Sequence, residues 1–257
     1  MRIAKNVVGV SLLLGFLWGA PGASASLIFG GDSGDLSAQM IIDYTADGHL
    51  SVVLANVSNA DVLAPADVLT GVFFTLAPAS SLDAQSANVT GDSVIWFEPT
   101  PSGGDVGTEW AYKDGLSGIV DGTNAGIASA GYDVFGEDDR FDTSGNLQGP
   151  ATPDGLQYGI TSLGDDVATG NTPVTGTNAL IQNAVRFEFL LDGDFTDYTI
   201  DNVWFQYGTG LDEPSFEYTY VHGRKTPPPP PVPEPASIVL LGMGVAGVLV
   251  RKRLLAA

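Results

Sequence analysis

Val185-Arg186-Phe187-Glu188-Phe189-Leu190-Leu191-Asp192-Gly193 is the stretch on which the fold class turns. Val185, Phe187, Phe189 and Leu191 alternate with Arg186, Glu188, Leu190 and Asp192. A period of two places the first set on one face of an extended strand and the second on the other, whereas a helix needs apolar residues every three to four positions. The stretch therefore reads as a strand with one buried face. Leu50, Val52 and Leu54 repeat the pattern, and further apolar runs lie at 40–44, 68–76, 93–97, 199–207 and 216–221. Between the two ends of the chain, helical periodicity is hard to find.

Asp-Gly occurs at 47–48, 114–115, 121–122, 154–155 and 192–193, where glycine supplies the positive φ of tight hairpins. Short strands separated by such turns predict an all-β domain, an antiparallel, jelly-roll-like β-sandwich with long Gly/Asp-rich loops. The Gly-, Asp-, Thr- and Asn-rich middle section, about 122–177, is expected to be largely surface loops, where a ligand site would sit.

The two ends read differently. Arg2 and Lys5 precede an apolar run from Val7 to Trp18 and then Ala23, Ser24 and Ala25. This is the order of a secretory signal peptide, residues 1–25, with a signal helix and cleavage by signal peptidase between Ala25 and Ser26. At the other end, a proline tract in a linker over 223–232 leads to Pro233-Glu234-Pro235, an apolar stretch from Ala236 to Val250, and Arg251-Lys252-Arg253. As a helix, the 15 apolar residues reach roughly 22 Å, short of the ~30 Å hydrocarbon core. The basic cluster would hold the C-terminus in the cytoplasm and leave the preceding domain outside the inner membrane.

Pro233-Glu234-Pro235, the Gly-containing apolar stretch and the terminal basic cluster together resemble the PEP-CTERM sorting signal, over 233–257, that exosortases of Gram-negative bacteria recognise and remove. The resemblance implies signal peptidase and an exosortase as processing partners, transient anchoring in the inner membrane, and release to the cell surface or medium. A permanent single-pass anchor is the competing reading. Segments 68–74, 156–160 and 202–209, with Glu213-Pro214, are also similar to a recurrent group of PEP-CTERM surface proteins, which implies a surface or matrix protein with no catalytic residues to carry over.

The chain has a net charge of −20. Without the two end segments, five basic residues stand against twenty-nine acidic ones, a net charge of −24. Such a surface repels nucleic acid and anionic lipid and favours cations, so nucleic-acid binding is excluded. No cysteine is present, which excludes disulfides and thiol chemistry. Residues 26–222 suffice for one exported domain with a full core.

No enzyme is expected. His49 and His222, the two histidines, form no metal-like or catalytic pattern, and neither a Gly-x-Ser-x-Gly elbow nor a phosphate-binding Gly-rich loop occurs. Asp133, Glu137, Asp138, Asp139 and Asp142 offer hard oxygens to calcium, as do Asp165 and Asp166, although neither group follows a calcium-loop spacing. A solvated acidic loop suits them equally. Trp96 and Trp204 lie in apolar strands and read as core. Trp110 and Tyr112, after a Gly-rich loop, are the candidates for stacking on a sugar. The sequence thus predicts an exported structural or adhesive protein of a surface or exopolysaccharide matrix. The alternative is a carbohydrate-binding module for exopolysaccharide, with calcium as a possible stabilising ion.

Overall fold

The computed structural model describes residues 26–44, 48–78, 82–176, 178–191 and 198–223. The signal-peptide segment 1–25, the turn residues Asp47, Asp192 and Gly193, the rest of the linker from 224, and the sorting segment 233–257 lie outside the described residues. Fourteen strands follow in chain order: β1 (Ser26–Ser33), β2 (Leu36–Tyr44), β3 (His49–Asn56), β4 (Leu69–Ala77), β5 (Leu82–Val89), β6 (Val94–Trp96), β7 (Ala111–Asp114), β8 (Ala125–Ala128), β9 (Ile160–Thr161), β10 (Leu180–Gln182), β11 (Ala184–Leu191), β12 (Thr199–Tyr207), β13 (Ser215–Glu217) and β14 (Tyr220–Gly223). Among the described residues, helix is limited to three short 3-10 turns.

The strands form two sheets, ordered β14-β1-β2-β3-β11-β5 and β13-β12-β4-β9-β10-β6, with β8 also on β4 and β7 on β8. The pairing is antiparallel except between β9 and β10. Strand β11 pairs with β3 so that Val185 faces Leu54, Phe187 faces Val52 and Phe189 faces Leu50. The two most regular alternating stretches thus stack their apolar faces in register, and those six side chains are buried.

One core holds side chains from both sheets, among them Phe29, Met40, Val52, Phe187 and Phe189 from the first and Val72, Phe74, Ile127 and Phe205 from the second. Strand β4 is buried almost continuously, and the reason is two-sided cover. Val72, Phe74 and Leu76 face the shared core. Phe73 faces the other way, into a second cluster with Ala128, Tyr132 and Phe135.

That second cluster departs from the sequence expectation for the middle section. Ser129, Ala130 and Tyr132 are buried, because this stretch folds back over the outer face of β4: Ser129 N donates to Thr70 O at 2.9 Å. Its polar composition serves backbone turns, while a few apolar residues make a small core of their own. Of the Asp-Gly glycines, Gly48, Gly115 and Gly122 adopt positive φ. Gly155 does not carry a positive φ, and its Asp-Gly pair makes a different bend.

Candidate functional site

An open cleft of about 550 Å³ lies where three loops meet, at 131–135, 152–154 and 209–212. The first loop follows β8. Gly131 is required there by close approach, since a Cβ would stand 2.1 Å from the Pro153 carbonyl oxygen. The next two residues, Tyr132 (φ 49°) and Asp133 (φ 58°), hold left-handed backbone, a conformation that costs of order 1 kcal/mol at a non-glycine residue and persists only where surrounding contacts impose it. The imposing contact is visible. Tyr132 Oη and Thr70 Oγ1 lie 2.5 Å apart, and Thr70 Oγ1 in turn donates to Gly208 O. Burial pushes the Tyr132 hydroxyl well above the ordinary phenol range, so it acts as a neutral strut.

The third loop is built from the end of β12. Glu213 accepts hydrogen bonds from Thr209 N at 2.5 Å and Gly210 N at 2.8 Å. Gln206 Nε2 donates to Tyr207 O at 2.9 Å and Gly210 O at 3.1 Å. Tyr132, Phe135, Pro153 and Leu211 give the cleft an apolar component, and Asp133, Asp154 and Asp212 give it three exposed carboxylates. Such a surface can accept hydrogen bonds from hydroxyl groups or attract a cation. Nothing in it resembles a nucleophile with an adjacent base.

Trp110 and Tyr112 are not surface residues, and the sugar-contact expectation for them is corrected. Trp110 is 0% exposed and Tyr112 8%. Trp110 Nε1 donates to Tyr158 O at 3.1 Å, and its ring packs edge-on against Phe187 with centroids 5.1 Å apart. Tyr112 meets Phe189 in the same way at 5.0 Å. The aromatic faces offered to a ligand by the sequence are spent on joining the two sheets. Trp204 sits half-buried against the second cluster, and Trp96 is also half-buried.

The five acidic residues between 133 and 142 are not brought to one point, and among the described residues no group of three or more His, Cys, Asp or Glu is placed to hold a metal ion. Each has local work. Asp139 accepts from Lys113 Nζ at 2.8 Å and from Gly136 N at 2.7 Å. Glu137 is 3.5 Å from Arg140. Asp142 accepts from Ser144 N at 2.7 Å, and its bonds to Ser144 hold its carboxyl below the usual range. Asp133 stands on the cleft rim, and Asp138 is exposed on the 3-10 turn. His49 and His222 are both exposed.

Residues 231–253 match the PEP-CTERM protein-sorting motif. The chain carries a PEP-CTERM sorting signal. The match contains Pro233, Glu234, Pro235, Arg251, Lys252 and Arg253, the residues on which the resemblance was read, and it marks the chain for export and exosortase-dependent processing. No match was found among curated proteins or among solved structures. Among the described residues no helix is long and apolar enough to cross a membrane; the stretch 236–250 lies outside them.

Tyr132, Asp154, Leu211 and Asp212 were not singled out from the sequence as site residues. One signal was available. Segments 68–74 and 202–209, both singled out in the sequence, meet where Thr70 and Gly208 clasp Tyr132 and where Gly208 N donates to Val68 O at 2.9 Å.

Proposed function

We propose that the chain is a non-enzymatic structural or adhesive component of the cell surface or extracellular matrix. In this reading, signal peptidase removes residues 1–25 and the apolar stretch 236–250 parks the chain transiently in the inner membrane. Exosortase then releases the domain of residues 26–222 with its linker. The sorting motif at 231–253 carries the reading. The antiparallel, β-rich fold is compatible with it: the chain passes between the two sheets at β3–β4, β4–β5, β5–β6, β10–β11, β11–β12 and β13–β14, so many connections tie the sheets together.

The test is mass spectrometry of the mature protein from a producing strain with and without its exosortase. The expected result is a C-terminus lacking residues 236–257 only where the enzyme is intact. Retention of those residues in the intact strain would leave the permanent-anchor reading in its place.

A second reading, binding of exopolysaccharide, is favoured by the cleft at 131–135, 152–154 and 209–212, whose three carboxylates suit sugar hydroxyls. It no longer involves Trp110 or Tyr112. Retention of the mature protein on the producer's own polysaccharide, lost in Asp154→Asn and Asp212→Asn, is the expected outcome; equal retention of both variants would remove this reading.

A further inference from the structure

Away from the cleft, the loops 58–63 and 161–171 are pressed together. Gly164 lies so near Asn59 that a Cβ would stand 2.1 Å from the Asn59 carbonyl oxygen, and Ser162 Oγ donates to Ala60 O. This contact sets Asp61 beside Asp165, each held by a backbone N–H of the other loop. Both carboxylates are fixed by their surroundings. Asp61 accepts from Asp166 N at 2.9 Å and from the Thr169 hydroxyl; Asp165 Oδ1 accepts from Val62 N at 3.2 Å. Every oxygen retains a lone pair for a further partner.

Two facing carboxylates repel unless something positive lies between them. No described Lys or Arg supplies that charge. Lys113 pairs with Asp139, Arg140 with Glu137 and Arg186 with Glu188. A separate observation points the same way. Thr161 on β9 is 0% exposed. Its Oγ1 lies beside the Asp165 carboxylate yet makes no hydrogen bond of normal geometry. Buried hydroxyls are rarely left in that state, and one placed against a carboxylate pair requires an explanation. Asp61 also lines a cavity of about 200 Å³ with Asn56, Ser58 and Ser162, which brings solvent to its side of the pair; Asp165 and Thr161 are not part of that lining.

We propose that Asp61, Asp165 and Thr161 form a site for a divalent cation of the calcium class, clamping the two loops. The ligand set is entirely hard oxygen, without the nitrogen or sulfur that zinc prefers. Calcium tolerates an irregular shell completed by water, whereas magnesium demands near-octahedral geometry. A proton shared between the carboxyls is the rival occupant, and burial does raise the Asp165 carboxyl while its hydrogen bonds lower Asp61.

The experiment compares melting of the full chain in mild detergent, in excess chelator and in millimolar calcium at constant ionic strength, together with calcium titration. Wild type should melt a few degrees higher with calcium. Asp165→Asn should melt at or above wild type in chelator, because the repulsion is gone, and should not respond to calcium. Thr161→Val, which removes a hydroxyl whose one polar neighbour is the Asp165 carboxylate, should melt close to wild type in chelator and bind calcium on the order of 10-fold more weakly. Asp154→Asn, in the cleft, should respond as wild type does. A wild type indifferent to calcium, or an Asp165→Asn variant that keeps the full response, overturns the site and leaves the shared proton. Should Asp165→Asn not fold, Thr161→Val decides alone, since unchanged calcium affinity there also overturns it.

Discussion

Trp110 shows how a single residue can be misread. Its sequence neighbours, a Gly-rich loop before it and Glu109 beside it, are those of a surface position, but its environment is made by Phe187, 77 positions away in the chain. Flanking polarity carries no information about a partner in the other sheet. Because the ring is fully enclosed, Trp110→Ala should cost about 3–5 kcal/mol in denaturant unfolding. Trp110→Phe should cost less, about 1–3 kcal/mol, mainly for leaving the Tyr158 carbonyl without its donor. A loss below 1 kcal/mol for the alanine variant would mean that the ring is not core. Glu109 beside it was equally invisible. It is buried and receives Leu147 N at 2.6 Å and Gln148 N at 3.1 Å on Oε1. Burial nevertheless raises its carboxyl above the ordinary value of 4.5, against the effect of those bonds. Native structure therefore favours the protonated acid: its contribution is fully present below pH 4.5 and is lost as pH rises through the higher folded value. Glu109→Gln should remove this dependence, so that the variant's melting temperature gains on wild type between acidic and neutral pH. A pH-independent difference between the two proteins would contradict the assignment.

Strands differ in how openly the sequence announces them. In β11 and β3 one face meets core and the other solvent, and alternation records that directly. Strand β4 is apolar on both faces because a second cluster covers it, so its run marks a strand without saying what lies outside. The stretch 129–135 was illegible for a related reason: its glycines and polar residues resemble those of a loop, and its burial depends on the contact of Gly131 with Pro153. That contact makes a prediction at the level of the element. Gly131→Ala forces a methyl against a carbonyl oxygen at 2.1 Å, and the two loops must part. The expected cost is about 1–3 kcal/mol, accompanied by faster amide exchange at Val134 and Phe135, whose N–H groups both donate to Gly131 O at 2.8 Å. Exchange unchanged at these two amides would show that the loop accommodates the methyl without opening.

For the molecule as a whole, the address was legible because sorting is read by processing enzymes from a short contiguous peptide, whereas a cleft or an ion site is assembled from segments that the sequence keeps far apart. Charge is the other property that needs no fold to be read. Three basic residues, Lys113, Arg140 and Arg186, are each already paired with an acid among the described residues, so they cannot offset the remaining excess of carboxylates. Self-repulsion of that excess opposes the compact state, and added salt screens it over a Debye length of about 10 Å at 0.1 M. The melting temperature should therefore rise between low salt and 0.5 M sodium chloride in chelator, with most of the gain complete once the Debye length falls below typical spacings between surface charges. A divalent ion at matched ionic strength should add a further increment only if it binds a defined site. Wild type and Asp165→Asn should both rise with sodium chloride, the variant starting at or above wild type, and only wild type should gain further on addition of calcium. If sodium chloride left the melting temperature unchanged, the acidic surface would have to be neutralised in some other way, and the surplus of carboxylates would cease to be an argument for cation binding anywhere in the molecule.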